Sequence, residues 1–303
     1  VKAIVPVTVL DTMLVSSSIP EDDAPPFDAD AVYAIGETCI EGHQVYSSLV
    51  ASNAGKLPSA NLTGSTPAWS LVGSTNRWKQ YDEYSNTRTV SQDGSPLVDV
   101  LDVSYCNAIA LFGLEGESLQ VVVQNAQGDV VFEKDVDLIV DDNVLNWEDY
   151  FYASRYFLDV CWIDIPIMTS ARITRTLKGA SPACGNCIIG EARPMGNTQY
   201  GLGLPVTDYS VFSSNDFGGV YLSKGAIATN PEGDVVVESD MVRSVLRVRN
   251  ELLATPTAFY LANEEHSDGL HEVLIVYGVL RNFEPTIERP TENEFSFKIT
   301  GVK

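Results

Sequence analysis

The clearest alternation in the chain lies near its C-terminal end. In FSFKITGV, Phe295, Phe297 and Ile299 fall on one side, and Ser296, Lys298 and Thr300 on the other. That period of two belongs to a half-buried strand. Similar β-rich runs recur upstream: PLVDVLDVS, AIALFGL, SLQVVVQNAQGDVVFEKDV and FLDVCWIDI between Pro96 and Ile165, then TAFYLA and EVLIVYGVL between Thr257 and Leu280. Asn125 to Asp129 read as a hairpin turn, with Gly128 where a positive φ is needed. A helical period appears in one place, residues 240–254, where Met241, Val245, Val248 and Leu252 share a face. Ser239 or Asp240 is expected to cap it, and Thr255-Pro256 to end it.

These elements predict a mainly β protein: a small N-terminal β module, a β-sandwich, and a C-terminal α+β unit with one main helix. Residues 1–26 alternate weakly and run into Ser16-Ser17-Ser18, Glu21-Asp22-Asp23 and Pro25-Pro26, which predicts an extended arm lying on a neighbouring subunit. Residues 27–73 hold the short runs VYAIGE and HQVYSSLV, punctuated by Gly36 and Gly42 and closed by Trp69. Residues 74–180 carry the evenly spaced strands of a sandwich. Residues 181–303 form the C-terminal unit, with 181–240 rich in loops and glycine.

Composition narrows the function. At 303 residues and 45% apolar content, two or three domains with real cores are expected. A net charge of −22 offers no basic footprint for nucleic acid. No apolar run is long enough to span a bilayer, and VKAIVPVTVLDTMLV is too interrupted by Pro6, Thr8, Asp11 and Thr12 to read as a secretory leader. Five cysteines do not make a disulfide scaffold. Cys184-Gly-Asn-Cys187 is a lone C-x-x-C with no second pair to complete a zinc site, and Ile188-Ile189 after it reads as strand, so structural thiols are favoured over metal or redox work.

The sequence carries no nucleophile elbow, metalloprotease helix, P-loop or dinucleotide fingerprint. Gly201-Leu-Gly203 is followed by Leu204-Pro205, with no helix to receive a phosphate. Acidic pairs such as Asp141-Asp142 and Glu264-Glu265 are expected by chance among 41 carboxylates. Asp135 to Asn143 is rich in oxygen ligands but lacks the calcium-loop pattern. His43, His266 and His271 belong to no motif, and Asn61-Leu62-Thr63 is an isolated sequon. No enzyme activity, metal or cofactor is expected.

Tyr33, Gly36-Glu37, Tyr46, the KLP loop and Trp69 resemble the small carbohydrate-binding modules of the chitin-binding type. That resemblance implies that Tyr33, Tyr46 and Trp69 stack on sugar faces. The alternative is that they form the core of a domain with little else to bury. GSTNRWKQYD (Gly73 to Asp82), GNTQYGLGLPVTDYS and the segments LLATPTAFYL, LIVYGVLRNFEP and FSFKITGV resemble, in the same order, tailed-bacteriophage and prophage virion proteins. The resemblance implies a non-enzymatic, multi-copy component of the phage tail or connector, made in the host cytoplasm and found in the virion. Its partners would be other virion proteins, further copies of itself and a host surface glycan. Two other readings are a free carbohydrate-binding accessory protein and a surface-polysaccharide depolymerase.

Overall fold

The computed structural model describes residues 1–302 apart from 93, 141–146, 153–155, 215–216, 263–271 and 287–290. The chain is mainly β, built from antiparallel sheets with one main helix. A five-stranded sheet runs in the order Val130–Asp137, Ser118–Gln124, Ala171–Lys178, Leu97–Val103, Leu14–Ser17. A nine-stranded sheet runs Val160–Asp164, Ala108–Phe112, Asn186–Pro194, Lys2–Pro6, Pro256–Tyr260, Ile275–Thr286, Glu292–Gly301, Glu232–Glu238, Asn197–Thr198.

Alternation decides how the two sheets meet. Leu97, Leu101, Leu119, Val121, Val123, Ile173 and Leu177 point inward from the five-stranded sheet. They pack on Ile109, Leu111, Ile163, Cys187 and Ile189 of the larger one, giving a sandwich core. The outward residues between them include Val98, Val100 and Val122 beside polar ones such as Asp102, which pairs with Arg172. The Asn125–Asp129 hairpin forms with Gly128 at φ 89°, and the Asn125 side chain accepts from the amides of Gln127 and Asp129.

The opposite face of the nine-stranded sheet closes on itself. Phe112 lies 5.4 Å from Tyr277 between ring centroids, and Trp162 stacks on Tyr260 at 5.6 Å. These rings come from strands four places apart in the sheet, so the sheet curls around a core of Ile4, Ala108, Ala110, Ala258 and Ile275.

Residues 1–26 are not an arm laid on a neighbour. Lys2–Pro6 is a central strand, paired with Asn186–Pro194 on one side and Pro256–Tyr260 on the other, and Val1, Ala3 and Ile4 are buried. Leu14–Ser17 is an edge strand of the five-stranded sheet. The partners of the first strand lie some 180 to 250 residues away, so no local pattern reveals the pairing. Gly190 allows the strand in: a Cβ there would sit 2.0 Å from the Val5 carbonyl oxygen. For the same reason a boundary at residue 180 does not separate two units, because one sheet draws strands from both sides of it.

The helix Val242–Leu252 buries Val245, Val248 and Leu252 against Phe259, Leu280 and Phe295, as its period requires, while Met241 stays partly exposed as the residue before it. No side chain caps its start; the Ser239 hydroxyl instead accepts from Asn293 Nδ2 at 2.9 Å. The chain leaves the helix through Leu253 and Ala254, the latter at φ 63°, and Pro256 opens the next strand.

Residues 27–73 do form a compact β module. Its sheet is Thr38–Glu41, Gln44–Ser48, Trp69–Ser74, with a second short pair, Val32–Tyr33 and Asn53–Ala54.

Candidate interaction surface

The three rings nominated for sugar stacking converge, but inward. Tyr33, Tyr46 and Trp69 are 8%, 6% and 1% exposed and share one cluster with Cys39, Ala68 and Phe27. Tyr33 meets Trp69 edge-on at 5.0 Å and stacks with Phe27 at 6.0 Å. Their polar ends are spent inside the module: Trp69 Nε1 donates to the Lys56 carbonyl, and the Tyr33 hydroxyl accepts from the Asp28 amide, both at 2.8 Å. A stacking platform needs an exposed ring face. These rings are core: a module this small has few large side chains, and it encloses these with Phe27 and Leu62 packed against them.

The NRWKQYD segment fastens that module to the sandwich. Trp78 stacks on His43 at 4.4 Å, and His43 Nδ1 lies 2.9 Å from Glu21. Arg77 donates to the Ile19 carbonyl at 2.7 Å and faces Glu21. The Asp82 carboxylate accepts from the Thr87 hydroxyl and the Tyr84 amide. Gln80 reaches into the sandwich itself. There Arg175 and Asp99, cross-strand partners that both point inward, form a buried ion pair. Gln80 Nε2 donates to Asp99 at 2.9 Å, its Oε1 accepts from Arg175, and its amide donates to the Thr89 hydroxyl. So a motif that the sequence offers as a family mark is, in this fold, a set of joints.

Cys184 and Cys187 lie beside this ion pair, buried in the sandwich core. Arg175 Nη1 donates to Cys184 Sγ at 3.5 Å. Burial raises both thiols, Cys187 to about 12. A redox cysteine needs the opposite, an exposed and stabilised thiolate. All five cysteines are free and buried. We expect the native chain to resist an aromatic disulfide reagent at neutral pH and to release five reactive thiols in denaturant; rapid native labelling of either Cys184 or Cys187 would contradict this. The same shifts give an alkaline limit. An unfolded thiol ionises near 9.0, whereas folded Cys161 and Cys187 hold their protons to about 11 and about 12. Their contribution to stability is complete below 9.0 and is lost as pH rises through those values. The denaturant midpoint should therefore fall above pH 9.0.

Among the described residues, no group of three or more His, Cys, Asp or Glu is arranged to hold a metal ion, and no helix is long and apolar enough to cross a membrane. Asp141-Asp142, Glu264-Glu265, His266, His271 and part of the Asp135 to Asn143 stretch lie outside the described residues. A cleft of about 520 Å³ opens where the sandwich meets the curled sheet, walled by Arg88, Glu115, Asp159, Asn186 and Tyr277 among others. Two of its polar residues are tied into the fold: Arg88 pairs with Glu115, and Asn186 Nδ2 donates to the carbonyls of Asp82 and Tyr84.

The feature that sequence reading missed lies in residues 200–229. Val206–Asp208 pairs with Ile227–Thr229, and beyond them Val211–Ser214 pairs with Val220–Ser223, so one hairpin arm leaves the body. At the break between the two pairs, Gly225 lets the strands close: its amide donates to Ser210 Oγ at 3.0 Å, and a Cβ would collide with the Tyr209 carbonyl. The outer strands are exposed along their whole length, yet they carry Phe212, Tyr221 and Leu222 at 69%, 64% and 59% exposure. Val206, Tyr209, Val211, Val220 and Ile227 are exposed too. Glycine and serine masked the strands in the sequence. The available signal was apolar content without charge: from Gln199 to Pro231 the only ionisable acids and bases of the Asp, Glu, Lys, Arg and His types are Asp208, Asp216 and Lys224.

Comparison of the chain with protein-family models, curated proteins and solved structures returns no match.

Proposed function

We propose that this chain is a non-enzymatic structural subunit of a tailed-phage virion, in the tail or connector, where many copies form a platform for tail or fibre attachment. The observation that carries the reading is the hairpin arm. An acidic chain of net charge −22 projects a nearly uncharged strip of large apolar side chains into water. Contiguous exposed apolar surface of that kind marks a site of association. The resemblance of Gly73 to Asp82 and the later segments to virion proteins supplies the class of assembly. The arrangement of that stretch as a joint between module and sandwich suits a load-bearing part. Attachment through the arm replaces sugar stacking by Tyr33, Tyr46 and Trp69, which are buried.

Quantitative mass spectrometry of purified infectious particles tests the proposal. The chain should be present at a fixed multiple of a known tail protein. Its absence from purified particles would overturn the reading.

A further inference from the structure

We infer that two copies of this chain dock through their hairpin arms, packing Phe212, Val220 and Leu222 of one copy against the same residues of the other. The inference deepens the proposed function by naming the partner of the exposed surface, and it rests on the reading of the arm as an assembly element.

Register puts those three residues together. Phe212 is paired with Leu222, and Val220 with Ser214, so the three apolar side chains share one face of the hairpin. Val211 and Tyr221 lie on the other face with Ser213 and Ser223. Among the described residues nothing covers the apolar face, since all eight residues of the two strands are exposed. A two-stranded hairpin is at best marginally stable in water, and needs a covered face to hold its shape.

Two observations select a second copy as the cover. The first is charge. The stretch from Gln199 to Pro231 has a formal charge of −1, from Asp208, Asp216 and Lys224, against −22 for the whole chain. Apposing two arms brings together two nearly uncharged strips and keeps the acidic remainder of each copy off the contact. The second is the unguarded strands. The outer strand of the five-stranded sheet, Val130–Asp137, carries Glu133, Lys134, Asp135 and Asp137, charges that keep an edge from pairing with other chains. None of the eight residues in the hairpin strands is charged. A twofold axis through the arm makes the contact self-complementary.

Sedimentation velocity on the purified full-length chain tests this. At about 50 µM, the wild type should sediment as a dimer. The variant Phe212→Glu/Leu222→Glu, which places carboxylates on the shared face of both copies, should sediment as a monomer with unchanged near-ultraviolet circular dichroism. Val131→Glu, a similarly exposed position on the five-stranded sheet, should remain dimeric. A monomeric wild type, a double variant that keeps the wild-type state, or a Val131→Glu variant that loses it would each overturn the inference. The outcome is separable from that of the virion proposal. A dimer broken by the arm substitutions in a chain absent from particles removes only virion membership. A monomer that is nonetheless a particle component removes only the pairing.

Discussion

Arg175→Met destabilises the protein by about 3–5 kcal/mol, read as a lowered urea midpoint. Arg175 and Asp99 are 2% and 0% exposed, inside the sandwich and across from each other on adjacent strands. Arg175 neutralises the carboxylate and also holds Gln80 Oε1 and Cys184 Sγ. Without it, Asp99 keeps a single hydrogen bond from Gln80 Nε2, and Asp99 Oδ1 already has no partner among the described residues. A buried carboxylate left that way is costly, whereas removing both charges is not. Arg175→Met/Asp99→Leu should therefore recover most of the loss. A double variant no more stable than Arg175→Met would show that the pair is not the source of the effect.

Trp69→Ala costs about 3–5 kcal/mol and spends it locally. Trp69 is 1% exposed, touches Tyr33 and Phe27, and donates to Lys56. A module of this size has little else to hold it. Amide exchange should rise across residues 27–73 while the sandwich strands stay protected. The alternative role gives the opposite result. An exposed stacking ring could be removed within about 0.5 kcal/mol and would abolish sugar binding instead. Unchanged exchange in the module would contradict the burial described here.

Where the pattern is local, the sequence was legible. The alternation of Phe295, Phe297 and Ile299, the turn at Gly128 and the face of Val245, Val248 and Leu252 all rest on neighbours within a few positions, and each appears in the structure. Failures came where pairing is distant. Lys2–Pro6 looks like the start of a loose arm because its partners are Asn186–Pro194 and Pro256–Tyr260. Nothing in the local pattern marks Asp99 and Arg175 as core residues; distant strand register sets them inward and opposite. The aromatic pattern of Tyr33, Tyr46 and Trp69 is the same for a platform and for a core, and burial alone separates them. The arm at 206–229 was hidden by its turns: Gly218, Gly219 and Gly225 read as loop, although Val211–Ser214 and Val220–Ser223 are good strand formers.

Electron cryo-microscopy of the assembled tail tests the central claim most directly, that this chain is a structural subunit held through its exposed arm. The account predicts density for the chain in the tail or connector, with Phe212, Tyr221 and Leu222 buried against a neighbouring subunit and Tyr33, Tyr46 and Trp69 enclosed in their module. A particle in which the chain is present but the arm from Val206 to Thr229 stands free in solvent would contradict it, as would a complete tail without the chain.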